Sequence, residues 1–193
     1  GPLVLVLQEA LARDKVDFSK LQGNGITKKI ALSETKVFIQ NIHHFRDDNI
    51  DANRIPVEKV AIFDEAQRAW TKEQTSSFMK RQKGVPDFDM SEPEFLISVM
   101  DRHDDWTTVI CLIGGGQEIN TGEAGLPEWF NAISDKFPNW KVYVSDQLTD
   151  AEYTRGKNLY SQINSDRLIT LSVYTMNKKG VIFKLIDTIE NLA

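Results

Sequence analysis

Two uninterrupted apolar runs, EKVAIF at 58–63 and WTTVICLI at 106–113, stop abruptly on polar or glycine-rich residues, Asp64 and Glu65 after the first and Gly114, Gly115 and Gly116 after the second. Strands that are apolar at every position, rather than at alternate ones, belong to parallel sheets covered on both faces, because crossover helices lie on each side. Further runs at 141–145 (KVYVS) and 168–175 (LITLSVYT) repeat the pattern. Helical periodicity fills the intervals: residues 3–14 place Leu3, Leu7, Ala10 and Leu11 at helical spacing, 33–46 place Phe38, Ile42 and Phe45 on one side behind Ser33 as a cap, and 126–136 and 181–192 read as helices. Ser91 with Glu94 forms a capping box ahead of a helix over 92–103, and Thr149 with Glu152 another. The polar stretch 71–90, interrupted by Gly84 and Pro86, reads as a mobile loop. Alternating strands and helices give an α/β class with a three-layer arrangement, a parallel sheet flanked by helices.

Composition narrows the function classes. The 193 residues carry a net charge of -5, so no global basic footprint marks the chain as a stand-alone DNA binder. The single cysteine, Cys111, can form no internal disulfide and fits a reducing compartment, the cytoplasm; in an apolar strand its thiol stays neutral and is no nucleophile. The apolar opening GPLVLVLQEALARD lacks a basic leader and is too short for a secretion signal, and no window reaches a membrane span. Beginning on Gly-Pro, it reads as a tag remnant or a piece of a longer protein.

Ligands of open parallel sheets bind beyond the carboxyl ends of the strands, where Asp64, Glu65 and the segment Gly114–Gln117 lie. Asp64 suits a magnesium ligand and Glu65 a group that orients water for attack on a terminal phosphate, with Gln117, beside Gly116, sensing that phosphate through its carboxamide. The bland alternative makes the two acids a solvated turn and the glycines a tight backbone passage. His43 and His44 lack a third metal ligand at suitable spacing, His103 reads as a helix-end residue facing the dipole, and Trp70, Trp106, Trp129 and Trp140 read as packing residues. A phosphate-gripping loop, GxxxxGK[ST], is missing: Gly156-Lys157 is followed by Asn158 and preceded at the required position by Ala151.

VAIFDEAQRAW at 60–70 followed by CLIGGGQEINTGEAGLPEWFNAI at 111–133, with GPLVLVLQEALARD and VFIQNIHHFRDD upstream, resembles the Schlafen group 3-like DNA/RNA helicase domain, a branch of the superfamily 1 helicase-like ATPases. The resemblance covers about residues 1–148. It implies an incomplete first RecA-like ATPase domain over 1–148 whose phosphate loop (Walker A) would precede residue 1, with 149–193 as a connector and the start of a second motor domain or a sheet extension. It further implies that Asp64 and Glu65 are the Walker B pair, that Gln67 and Arg68 complete that box and couple nucleotide state to the second motor domain, and that Gln117 is the motif III glutamine. Glu123 matches a family position without a role that its residue type reveals. No arginine follows Arg167, so this end of the chain supplies no arginine finger. ATP, Mg2+ and DNA or RNA are thus expected for a parent protein, with no turnover and no tight cofactor binding by this chain alone. Two other readings stand beside it, a non-catalytic interaction module on the same fold and a metal-dependent nuclease using Asp64, Glu65, Asp87 and Asp89.

Overall fold

The computed structural model describes residues 2–113, 123–145, 148 and 158–171. It divides into two compact units, residues 1–57 and 58–193.

The first unit is helical. Helix α1 (Pro2–Leu21) packs on α2 (Lys28–Phe38), and α3 (Ile42–Asp48) follows. The α1 periodicity suggested a packing face of Leu7, Ala10 and Leu11, but these are exposed, and Gln8, Ala12 and Ser19 are buried instead. The reason lies in the pairing with α2. Ala12 and the equally buried Ala31 are small enough for close approach, Gln8 donates to the Ile39 carbonyl, and Ser19 Oγ accepts the Ile26 N–H at 3.0 Å to close the turn. Ion pairs Lys15–Glu34 and Lys28–Glu9 join the two helices along their exposed margins. The single helix expected over 33–46 is two helices. The first starts earlier because Thr27, not Ser33, is the cap, accepting the Ile30 N–H at 3.3 Å, and the chain leaves helical geometry at Ile39 before α3 begins behind Asn41.

The second unit holds the strands β1 (Val60–Phe63), β2 (Thr108–Cys111), β3 (Val142–Ser145) and β4 (Leu168–Leu171). The four described strands pair in parallel, as the apolar runs indicated: β1 lies on β2 with Phe63 opposite Cys111, and β3 lies on β4 with Val142 opposite Leu168. Among the described residues they form two separate two-stranded sheets. Burial on both faces does not hold: Val60 and Ile62 are 45% and 61% exposed, and in β3 Val142 and Val144 are buried while Tyr143 faces out. An apolar run reports that a strand could be covered twice, not that both covers are present.

The polar stretch read as a loop is mostly helix. Thr71 caps α4 (Lys72–Phe78) by accepting the Gln74 N–H at 3.4 Å, and the chain winds on as a π-helical turn over Met79–Lys83 before Gly84 ends it with φ 68°. The glycine stops this helix as a left-handed terminator rather than breaking it internally. A Cβ at Gly84 would meet nothing within 4 Å, so the expected cost of Gly84→Ala is conformational alone, about 1 kcal/mol in urea denaturation.

Helix α5 (Glu92–Met100) begins as its capping box foretold: Ser91 Oγ accepts the Glu94 N–H at 3.3 Å. Burial, the largest influence, raises the Glu94 carboxyl above its ordinary range. Helix α5 packs on β2 and on α6 (Leu126–Lys136), burying Phe95, Leu96, Ile97, Val99 and Met100. A second core gathers Leu126 and Phe130 of α6 with Val142, Val144, Leu159 and Ile163. Beneath α6, Arg167 donates to the carbonyls of Ile133, Phe137 and Trp140. The helix expected over 181–192, the 149–152 box and the carboxyl end of the 168–175 strand lie outside the described residues. Among the described residues no helix is long and apolar enough to cross a membrane.

Candidate nucleotide site at the carboxyl end of β1

The β1–β2 ladder runs to its carboxyl end without a break: Leu112 donates to the Phe63 carbonyl at 2.9 Å and Ala66 donates to the Leu112 carbonyl at 2.9 Å. Between these anchors the chain turns through Asp64 and Glu65. Glu65 has φ 53° and ψ 41°, and among the described residues it is the one non-glycine residue with positive φ. Left-handed backbone costs about 1–2 kcal/mol in a residue bearing a Cβ and persists where the surroundings fix it. Here they do. Asp64 Oδ1 accepts the Glu65 N–H at 3.1 Å, Gln67 Nε2 donates to Glu65 Oε2 at 2.6 Å, and residues 66–68 close a short 3₁₀ turn.

The remaining sides of the turn are held from the chain after the glycine segment. Gly125 donates to the Gln67 carbonyl at 3.1 Å, Ala124 to the Ala69 carbonyl at 2.7 Å, and Glu123 and Trp70 form an antiparallel bridge. Arg68 Nε meets Glu123 Oε1 at 3.1 Å, with the Glu123 side chain only 13% exposed. From below, Trp129 packs on Phe63 with ring centroids 5.9 Å apart and donates its indole N–H to the Ala66 carbonyl at 2.8 Å. Glu92, 2% exposed, accepts the Trp70 N–H at 2.9 Å through Oε2 and donates its own N–H to the Trp70 carbonyl at 3.1 Å.

Of the residues singled out in the sequence, Asp64, Glu65, Gln67 and Arg68 therefore share one turn, with Asp64 exposed, Glu65 half-exposed and Gln67 buried. Gln67 Oε1 is buried without a hydrogen-bond partner. Gly116 and Gln117 lie outside the described residues, although the chain on either side of them is fastened to this turn. Glu123, whose residue type suggested no role, is the partner of Arg68. Glu92 and the Trp129 indole were not anticipated as supports; the sequence signals were an acid in the first turn of α5 and a tryptophan in the first turn of the helix that follows TGEAG.

Other candidates separate from the site. Among the described residues no three His, Cys, Asp or Glu side chains gather to hold a metal, so Asp87 and Asp89 do not converge with Asp64 and Glu65, and Asp89 pairs with Lys72 at 2.7 Å. His103 follows the end of α5 and donates its backbone N–H to the Met100 carbonyl at 3.3 Å. Its Nε2 contacts the Glu58 carbonyl at 3.0 Å, just ahead of β1. Burial pulls His43 below its ordinary value. Three of the tryptophans pack as expected, Trp70 against Phe78, Trp129 on Phe63 and Trp140 against Phe137, but Trp106 is half-exposed beneath the Lys59 ammonium.

Burial pushes the Cys111 thiol up from 9.0 to about 12, as the apolar strand implied. The neutral form that the fold favours contributes stability in full below pH 9, and this contribution is lost as pH rises towards 12. Alkylation by iodoacetamide at neutral pH is accordingly expected to be slow in the folded chain and to reach an ordinary thiol rate in urea, with equal rates in the two states as the contrary result.

Against family models, residues 1–176 match the one described as Schlafen group 3, DNA/RNA helicase domain. The chain belongs to the Schlafen group 3 helicase-domain family. That match extends past the TGEAG segment and includes β3 and β4, so the Schlafen-type domain spans all the strands described above. Neither the curated proteins nor the solved structures compared with this Schlafen-type chain gave a match.

Proposed function

We propose that this chain is the nucleotide-handling part of a nucleic-acid-stimulated, helicase-like ATPase motor of the cytoplasm, residues 1–148 contributing to a first RecA-like domain and 149–193 either extending its sheet, as the pairing of β4 on β3 favours, or leading towards a second. One observation carries the reading: the segments on both sides of residues 114–122 are hydrogen-bonded to the turn that bears Asp64 and Glu65, through Leu112 on one side and through Ala124 and Gly125 on the other. Such an arrangement supports a site in which the acid pair and the glycine–glutamine segment act on one ligand.

The residues fit that ligand chemically. Asp64 offers an exposed hard oxygen donor of the kind Mg2+ takes, and the ion would neutralise charge on the phosphate oxygens of ATP. Glu65 is the base-type residue for an attacking water, and its carboxylate is held by Gln67 rather than left to rotate. Gly116 and Gln117 would read the terminal phosphate. Arg68, tied to Glu123, would pass the state of the turn onward to a second motor domain.

The test is magnesium-dependent ATP hydrolysis. The sequence has no GxxxxGK[ST], so the backbone N–H cradle and lysine that hold the phosphates are not supplied, and the chain alone is expected to show no turnover. Joined to a segment bearing that loop, it is expected to hydrolyse ATP, faster with single-stranded nucleic acid. Turnover by the isolated chain, or none by the joined protein, would overturn the reading, the second result favouring a non-catalytic interaction module.

A further inference from the structure

The acid-bearing turn leads directly into a cationic surface. Trp70, which follows it, packs edge-on against Phe78 at the end of α4 with ring centroids 5.4 Å apart. Beyond Phe78 the π-helical turn carries Lys80, Arg81 and Lys83 with no acid among Met79–Lys83. Met79 is fully buried and anchors the turn, while residues 80–83 are all exposed. Lys83 Nζ lies 6.0 Å from the Phe78 ring centroid, so the basic end and the aromatic pair adjoin.

Cations are common in the last turn of a helix, where they face the carbonyl end of the dipole. That role uses one of the three: Arg81 Nε donates to the Ser77 carbonyl at 3.3 Å. Two of the three, Lys80 and Arg81, are not neutralised as their neighbours are. In the same unit Lys59, Arg68 and Lys72 each sit on a carboxylate, of Asp105, Glu123 and Asp89, whereas among the described residues Lys80 and Arg81 form no ion pair. In a chain of net charge -5, three exposed cations within four residues form a local field of opposite sign. A π-helical turn is itself uncommon and recurs at functional sites.

We propose that Lys80, Arg81 and Lys83 form a docking surface for the phosphate backbone of a nucleic acid strand. The inference rests on the motor reading above for the identity of the polyanion; charge, exposure and the lack of carboxylate partners at Lys80 and Arg81 supply the rest. Phosphate contacts of this kind position a strand without reading its bases, so oligo-dT and oligo-U should bind alike.

The experiment is fluorescence anisotropy of the full 193-residue chain with labelled oligo-dT and oligo-U across a potassium chloride series. Three phosphate contacts at about 0.7 each predict that Lys80→Glu, Arg81→Glu and Lys83→Glu together flatten the slope of log affinity against log salt by about 2, with a loss of roughly tenfold or more at low salt. A control triple, Lys20→Glu, Lys29→Glu and Lys36→Glu, changes net charge equally and should leave the slope in place. Both triples reverse helix-end cations, Lys20 and Lys36 in one and Arg81 on the Ser77 carbonyl in the other, each at a modest loss of stability, so thermal melts fix a temperature at which both variants stay folded and the slopes are read there. The proposal is overturned if the parent chain does not bind, if the first triple keeps the parental slope, if the control triple loses as much, or if polyglutamate competes as well as oligo-dT, which would mark a site for acidic protein. Failure of the motor reading would show separately, as absent hydrolysis by the loop-bearing protein with this binding intact.

Discussion

Glu65→Gln is expected to lower kcat for magnesium-dependent ATP hydrolysis by about 10²- to 10⁴-fold, the range for a positioned acid–base group, in the protein that joins this domain to a phosphate-binding loop. KM for ATP should change little, because Asp64 and the phosphate-binding groups are untouched and the loss falls on the attacking water. The substitution keeps the length of the side chain and its reach towards Gln67, so the left-handed turn should survive. Denaturation of the variant 193-residue chain should therefore agree with the parent within about 0.5 kcal/mol. A rate loss below tenfold with stability unchanged would reduce Glu65 to a backbone element of the turn.

Trp129→Ala should be the most damaging single truncation beneath the site, costing about 3–5 kcal/mol. The indole is 4% exposed, fills the space under Phe63, and satisfies the Ala66 carbonyl with its N–H. Removing it opens a cavity and leaves that carbonyl with the Ala69 N–H, at 3.2 Å, as its remaining donor. Against a total stability of about 5–15 kcal/mol, such a loss is a large fraction, and urea denaturation should show an early midpoint. Trp129→Phe separates the two contributions: it retains most of the packing and gives up the hydrogen bond, for about 0.5–1.5 kcal/mol. Equal costs for Ala and Phe would mean that the hydrogen bond, not the packing, carries the residue's weight.

Legibility differed between elements for physical reasons. Helix α6 matches its expected span because Gly125, Leu126 and Pro127 mark its start and an apolar stripe marks its buried face. Helix α5 was legible from the Ser91 box, a local interaction between residues three apart. The 71–90 stretch was misjudged because Gly84 was weighed as an interruption, whereas its positive φ ends a helix that Thr71 had started. Helix α1 was assigned the wrong inward face because periodicity registers hydrophobicity alone. Its partner α2 selected Ala12 for its small size and Gln8 for its bond to the Ile39 carbonyl.

The same division runs through the site. The order apolar run, Asp64, Glu65, Gln67, Arg68 is covalent, so the sequence by itself determined that these side chains share a strand end, that β1 and β2 run parallel, and which family the chain resembles. Tertiary structure alone decided that Glu65 takes a left-handed conformation, that Arg68 meets Glu123 across 55 residues of chain, and that Trp129, 63 residues beyond Ala66, closes the turn from beneath. A strand end is written in local hydrophobicity and turn chemistry. The partners that fix its geometry come from distant segments, and pairings at that separation depend on how the whole chain packs.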